Sequence, residues 1–420
     1  MSLGEIRYND ENEVSKMVIG IIGGGASGMA AALAAAENPN IQVILLERQA
    51  RVGRKLLATG NGRCNLTNIH AKNKGYHGSE PSFAQFALAE FDPEMTLSWF
   101  AQMGLYTVQE PSGKVYPYSD QANSVVDILR LNLERANITV RTAFEVEKIK
   151  KDGQQFIVSS RDESIICDKL IIACGGLAGS KLGGTMAGYK LLGKLGHRST
   201  KLRPALVQVK SDWRALPGLK GIRAECKAEI FHNEQLFAQS RGEVQFTEYG
   251  LSGPVIFEVS RDVCTQPGRW TCRLDLLPDW TAEQLEKELS RRKNTNLSAQ
   301  ELLTGILHNR LGRVLAQAAG VDLNTECKKL SDREIQAVCC AVKGFEINLT
   351  EPMGMDSAQV TAGGVLTSQF APETMESNIV PGLYACGEVL DIDGDCGGYN
   401  LQWAWSSGRL AGLSAGKECK

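Results

Sequence analysis

Gly23, Gly25 and Gly28 are spaced G-x-G-x-x-G between the apolar run Val18–Ile22 and the alanine-rich stretch Met29–Ala36. About twenty residues further on, Glu47 closes a second apolar run, Ile41–Leu46. Such a set supports the binding of a dinucleotide. Gly23 permits the tight turn, Gly25 lets the backbone approach a pyrophosphate, and Gly28 lets the following helix pack closely on the strand. Ala26 and Ser27 open that helix, where unpaired N–H groups face an anion. The Glu47 carboxylate, with Arg48 beside it, accepts hydrogen bonds from an adenosine ribose and repels a 2′-phosphate. Residues 17–36 carry no charge and compete as a signal or membrane segment, but the four glycines of Gly23–Gly28 and an alanine block fit a turn into a helix better than a lipid-facing span.

Two further donor-rich stretches follow. Arg54 and Lys55 lead into Thr59–Asn68, where Gly60 and Gly62 allow close backbone approach and Asn61, Arg63 and Asn65 can wrap phosphates and a ring, with Cys64 among them. Near the end of the chain, Gly382–Asp391 and Gly394–Gln402 repeat the order strand, glycine loop, helix. A helix beginning near Tyr399 aims its N-terminus at whatever fills the loop, and for a flavin it stabilises negative charge on the reduced ring. Gly387, Gly398, Asn400 and Leu401 line this loop, and Glu388 is placed to hold a ribityl or ribose hydroxyl. Leu170–Gly176 reads as a buried strand ending in glycines, with Gly175 at the cofactor. It is not a second dinucleotide site, since the motif needs glycine where Cys174 stands and no acid ends a strand about twenty residues later.

Proton handling is less sharply marked. Tyr116 and Tyr118 are candidate donors, and Cys64 and Cys396 are candidate redox thiols without the spacing of a dithiol centre. The histidines, His70, His77, His197, His232 and His308, lie outside the cofactor motifs, and no metal site is read. Gly250-Leu251-Ser252-Gly253-Pro254 is not a nucleophile elbow, because proline follows the second glycine directly.

The elements that position these residues divide the 420-residue chain into four parts. Residues 17–203 are the first part of a nucleotide-binding domain, 204–278 a β-rich insertion, 279–343 a helical insertion, and 344–420 the return. In the first part, helices are expected over Pro81–Glu90, Pro93–Met103 (Asp92 as N-cap) and 122–136, a strand over 138–141 and a hairpin over 143–160. In the insertion, helices are expected over 281–292, 299–307, 310–319 and 332–342, with Ser298 and Ser331 as N-caps. The 46 basic and 48 acidic residues leave a net charge of −2, which offers no field for nucleic acid or an anionic membrane. Twelve cysteines without a C-x-x-C pair, and no secretory segment, read as a reduced cytoplasmic protein.

With these motifs in place, the chain resembles the FAD-binding flavoprotein family that includes aminoacetone oxidase and the reductases of bile-acid dehydroxylation. Gly23–Gly28, Thr59–Asn68, Val115–Ser119, Gly250–Pro254, Thr361–Val365 and Gly387–Gln402 carry the resemblance across nearly the whole chain. It implies an α/β fold: a Rossmann-type FAD-binding domain formed by both chain ends, an inserted β-rich plus helical module, and non-covalent FAD. The implied activity is hydride transfer through flavin N5 to or from a small organic or steroid-like substrate, with NADH, NADPH or oxygen as the other redox partner; the single nucleotide unit predicts ping-pong kinetics or direct reoxidation by oxygen. A flavin-binding redox sensor with little turnover is the alternative, and the oligomeric state stays open. Three departures bear on ring contacts and substrate shape: Cys174 in place of a usual threonine, Val52 within a usual Gly-Gly pair, and the altered loop Gly183-Gly184-Thr185.

Overall fold

The uncharged run Met17–Ile22 forms the central strand (β1) of a five-stranded parallel sheet in a computed structural model that describes residues 5–6, 16–263 and 265–417. The chain then runs through helix α1 (Ala26–Ala35) to β2 (Ile41–Leu46), pairing Ile19 with Val43 and Ile21 with Leu45. β3 (Thr139–Arg141) flanks β2, while β4 (Lys169–Ile172) lies on the other side of β1 and β5 (Leu383–Ala385) completes that edge. The order β5-β4-β1-β2-β3 therefore joins both chain ends in one sheet, buried through Ile19, Ile21, Leu45 and Ile171. Strands covered on both faces read as continuous apolar runs, which explains the absence of alternation in β1 and β2.

The last helix, α2 (Tyr399–Ala415), packs on α1 through small residues. A Cβ at Gly408 would lie 2.3 Å from the Ser27 carbonyl oxygen and one at Gly412 2.2 Å from that of Ala31. At the C-terminal end of α2, the buried Lys169 ammonium donates to the carbonyls of Ala415 (2.9 Å) and Lys417 (2.8 Å). It thus satisfies acceptors that the helix leaves without partners.

Around this sheet the expected elements form with small shifts. Pro93–Gln102 is capped by Asp92, which accepts the Met95 N–H at 2.9 Å. Pro81–Phe83 is a tight 3₁₀ turn before the helix Ala84–Glu90, and the helix of residues 122–136 spans Ala122–Arg135. The hairpin pairs Lys148–Asp152 with Gln155–Ser159.

Pro204–Ala358 forms a separate compact unit. Its antiparallel sheet runs in the order Val209–Lys210, Gly250–Ser252, Gln235–Phe246, Arg223–His232, Trp270–Asp275, Phe345–Leu349. The helices Ala282–Lys293, Asn309–Ala318 and Asp332–Lys343 share one core with it, in which Ile230, Phe246 and Trp270 meet Leu285, Leu311 and Val338. Two expectations are corrected here. The return to the nucleotide domain comes at Gln359 rather than 344, because Phe345–Leu349 pairs with Trp270–Leu274 as the edge strand of the insertion's sheet. The helix expected over 299–307 is only a turn, Ala299–Glu301, since Gly305 adopts φ +79°. Ser331 and Glu334 form a reciprocal capping box, and the Ser298 N–H is held by the Glu301 carboxylate at 2.9 Å.

Candidate cofactor site

The first motif folds as a close-packed turn. Gly23 has φ +111°, and a Cβ there would lie 2.3 Å from the Ala173 carbonyl oxygen on the neighbouring strand end. A Cβ at Gly28 would lie 1.8 Å from the Gly23 carbonyl oxygen, so only glycine lets α1 approach its strand. In front of Gly25 there is nothing within 4 Å, and no side chain caps α1 or places an acid in its first turn. The first-turn N–H groups of α1, around Ala26 and Ser27, are therefore open to a ligand anion beside Gly25. Val52, which departs from the family pattern, is buried against Gly24, whose Cβ would meet its Cγ1 at 2.6 Å.

Glu47 stands at the end of β2 as expected. Its Oε2 accepts the Gly24 N–H and its Oε1 the Gln49 N–H, both at 2.8 Å, which fixes the carboxylate and leaves each oxygen a lone pair for a hydroxyl. Arg48 donates to the Gly183 carbonyl at 3.0 Å, and the exposed Arg54 to Gln49 at 2.6 Å. Glu388 is an anchor: Oε2 pairs with Lys55 at 2.8 Å, Oε1 accepts the Thr361 N–H at 2.9 Å, and the Thr361 hydroxyl in turn accepts the Ala178 N–H at 2.9 Å. Lys55, read as a phosphate ligand, is therefore held by Glu388, and Glu388 ties together three loops. Gly387 presses on Ser27 and exchanges hydrogen bonds with Ser407 (3.0 Å) and the Trp403 indole (3.1 Å), which joins the two glycine motifs. Gly175 (φ +68°) faces open space.

The loop Thr59–Asn68 docks on the N-terminal end of α2. Asn68 donates to the Gly397 carbonyl (3.1 Å), Trp405 to that of Leu66 (2.9 Å), and the Thr67 hydroxyl to Gln402 (2.5 Å). Gly398 sits against the Thr67 backbone. Gly60 and Gly62 turn through left-handed backbone, and Asn61 and Gly62 are exposed. Asn65 is 8% exposed, and its Oδ1 has no partner among the described residues. Like α1, α2 has no side-chain cap and no acid in its first turn.

Several sequence assignments change. The Asn400 side-chain amide is spent on its own loop, accepting the Gly394 N–H (2.8 Å) and donating to the Gly394 carbonyl (2.7 Å), and the Leu401 side chain packs on the core, so these two residues offer a cofactor their backbone N–H groups in the first turn of α2. Cys64 is fully buried, which pushes its thiol up to about 12; it is neutral near pH 7 and not a redox thiolate. Cys174 and Cys386 are raised to about 12 by the same burial. The tyrosine pair splits. Tyr116 is 7% exposed under the Arg63 guanidinium, 3.9 Å from its ring centroid, whereas Tyr118 is 77% exposed. A contact not read from the sequence joins His77 to the loop before α2, its Nε2 lying 2.7 Å from Asp395 Oδ1. Its strand, Tyr76–His77, is two residues long and pairs with Asp393–Gly394, a contact that no local pattern announces.

An open, uncapped helix start beside Gly25, a fixed ribose carboxylate, a partnerless buried amide oxygen and a second uncapped helix fit FAD. Fold and site thus define a Rossmann-type FAD-dependent oxidoreductase. The chain belongs to the family described as the HI0933-like protein Rossmann domain, which matches residues 17–414. It is 39% identical to the 3-dehydro-bile acid delta(4,6)-reductase of Clostridium scindens, over 94% of this chain and 98% of that one. It is 33% identical to the ribosomal RNA dihydrouridine synthase of Escherichia coli K12, over 92% and 95%. The solved 3-ketosteroid delta1-dehydrogenase of Sterolibacterium denitrificans aligns with 96% of this chain and 100% of its own at 13% identity and a TM-score of 0.49. Among the described residues no helix is long and apolar enough to cross a membrane.

Proposed function

We propose that this chain is a reductase that saturates a carbon–carbon double bond conjugated to a carbonyl, in a small, steroid-like substrate, with NADH or NADPH as reductant. The observation that carries the reading is the 39% identity, over 98% of that relative's length, to a reductase named for a 3-dehydro-bile acid with delta(4,6) unsaturation. The dihydrouridine named for the Escherichia coli relative is likewise a ring saturated beside a carbonyl. Charge supports the small molecule over RNA. Arg223, Lys227, Arg241 and Arg273 on the insertion's sheet pair with Glu243, Glu229, Asp279 and Glu346, and are already neutralised toward a phosphate chain. The ten described cysteines are free thiols, which supports a reducing, cytoplasmic setting.

FAD bound in the cradle supplies hydride transfer at its N5. The first turn of α1 would hold the pyrophosphate, Glu47 the adenosine ribose, and the first turn of α2 the negative charge of the reduced ring. Tyr116 is the proton donor. Its phenol makes no hydrogen bond within the described residues, burial raises its pKa so that it stays protonated, and Gly60 of the cofactor loop lies against its ring edge. With one dinucleotide unit, nicotinamide and substrate take turns at the same face, so the kinetics are ping-pong. In the test, the flavoprotein is reduced anaerobically by NADH or NADPH and then mixed with a conjugated cyclic enone. The visible flavin bands bleach and return without oxygen as saturated ketone forms. Tyr116→Phe leaves the bleaching unchanged and slows the return about 10²–10⁴-fold. Bands that return only in air sink the reductase reading and favour an oxidase or sensor.

A further inference from the structure

A short hairpin carries Thr107–Gln109 and Lys114–Pro117 as antiparallel strands, with Val108 opposite Tyr116. The next register position sets Tyr106 opposite Tyr118, joined by a 2.8 Å bond from the Tyr118 N–H to the Tyr106 carbonyl. Because strand residues two apart share a face, Tyr106, Val108, Tyr116 and Tyr118 share one side of this hairpin. Their exposures are graded: Tyr116 is 7% exposed, Val108 43%, Tyr106 76% and Tyr118 77%. At its buried end the strip touches Gly60 of the cofactor loop, and at its outer end it presents two phenol rings to solvent.

We infer that Tyr106, Val108 and Tyr118 form a substrate ledge, on which the distal rings of a flat, apolar, fused-ring carbonyl compound rest while its reactive ring reaches Tyr116. The inference rests on the reductase reading and names the substrate's shape. Two observations choose this occupant over a macromolecule. The exposed apolar surface of the three side chains amounts to about 400 Å² from typical aromatic areas, half of the roughly 800 Å² per partner of a stable protein interface. Beside the strip, Arg63 is committed to Asp120 and to Glu110 at 3.3 Å, so carboxylates flank the ledge and oppose an RNA backbone there. An uncharged ring system has no such conflict, and tyrosines offer it rigid faces with few side-chain torsions to freeze. Tyr118, read from the sequence as a proton donor, becomes a specificity residue.

The test compares wild type, Tyr106→Ala/Tyr118→Ala and Tyr106→Phe/Tyr118→Phe as FAD-loaded proteins against 2-cyclohexenone, with one ring, and a 4-en-3-one steroid, with four. Reoxidation of the reduced flavin gives the substrate dependence, and perturbation of the oxidised flavin's visible spectrum by the saturated steroid ketone gives binding without turnover. The alanine pair is expected to weaken the steroid 10- to 100-fold in both readouts and to leave cyclohexenone and the visible flavin spectrum unchanged, and the phenylalanine pair to restore steroid binding. Equal steroid affinity in all three proteins, or equal loss for both substrates, overturns the ledge. If no enone reoxidises the wild-type flavin but the saturated steroid binds and the alanine pair releases it, the reductase reading fails while the ledge stands. A wild-type dimer that the alanine pair converts to monomer, with steroid binding unchanged, overturns it in favour of a second copy of this chain.

Discussion

Gly412→Ala and Gly193→Ala are the same substitution at two helical positions, and the structure gives them opposite signs. A Cβ at Gly412 would lie 2.2 Å from the Ala31 carbonyl oxygen and 2.9 Å from its carbonyl and α carbons. The obstacle is backbone and cannot rotate away, so α1 and α2 must separate by about 1 Å to reach ordinary contact. Overpacking of this kind costs about 1–3 kcal/mol, occasionally more, against which alanine recovers up to about 1 kcal/mol of helix propensity. The net loss is about 1 kcal/mol, or roughly 2–4 °C in Tm for a domain of this size. Gly193, in the helix Ala187–Lys194, has nothing within 4 Å of the added carbon, and the variant gains about 0.5–1 kcal/mol. Thermal unfolding followed by circular dichroism, with an FAD titration of each apoprotein, reads both effects. Because Gly412 lies on the helix whose first turn is proposed to face the flavin, its variant is also expected to bind FAD more weakly, and Gly193→Ala is not. A Gly412→Ala protein as stable as wild type would refute the close approach of the two helices, and with it the way the chain ends are joined.

The remaining predictions concern two buried polar groups. Lys169→Met strands the Ala415 and Lys417 carbonyls and is expected to lower stability by about 1–3 kcal/mol in a denaturant titration; an unchanged midpoint would show that solvent replaces the ammonium. His197 stacks on Phe370 and bonds through Nε2 to the Ser377 hydroxyl at 2.8 Å, whose oxygen also accepts the Ile379 and Val380 N–H groups. Burial holds its pKa below the usual value, so the folded protein takes up fewer protons than the unfolded chain as pH falls below about 6.5. The stability from His197 is full above that pH and is lost as pH falls through the folded pKa. Tm is therefore expected to fall between pH 7.5 and pH 5.5, and His197→Gln, which does not titrate, to show a shallower slope. Parallel slopes would place the sensitivity elsewhere.

What was legible in the sequence follows from the range of the interactions. The turn Gly23–Gly28, the acid at Glu47 and the caps Asp92 and Ser331 act within a few residues or one strand–helix–strand unit, and each stands where its spacing predicts. The helix over 299–307 failed locally too, but because apolar spacing outweighed Gly305. The boundary at 344 failed because the sheet to which a strand belongs is settled by its partner, and Phe345–Leu349, which alternates apolar and polar residues, pairs with Trp270–Leu274 far from it in sequence. In the site, glycines and the ribose acid were readable, but which polar group a carboxylate would meet was not. Lys55 and Glu388 are 333 residues apart, His77 and Asp395 318, and neither pair has a local signature.

The same distinction separates what relatives of this fold share from what they do not. The groups assigned to FAD are backbone N–H groups, glycines and carboxylates tied to backbone, all set by close packing of α1, α2 and the parallel sheet, and a change there costs the fold as well as the cofactor. The groups assigned to substrate sit on a small hairpin whose outer residues, Tyr106, Val108 and Tyr118, are exposed. Surface positions of this kind change at a cost usually within ±0.5 kcal/mol. A cradle set by the fold and a ledge set by surface residues can therefore change independently in this chain. On this account, replacing the two outer tyrosines alters which ring system is reduced before it alters whether reduction occurs.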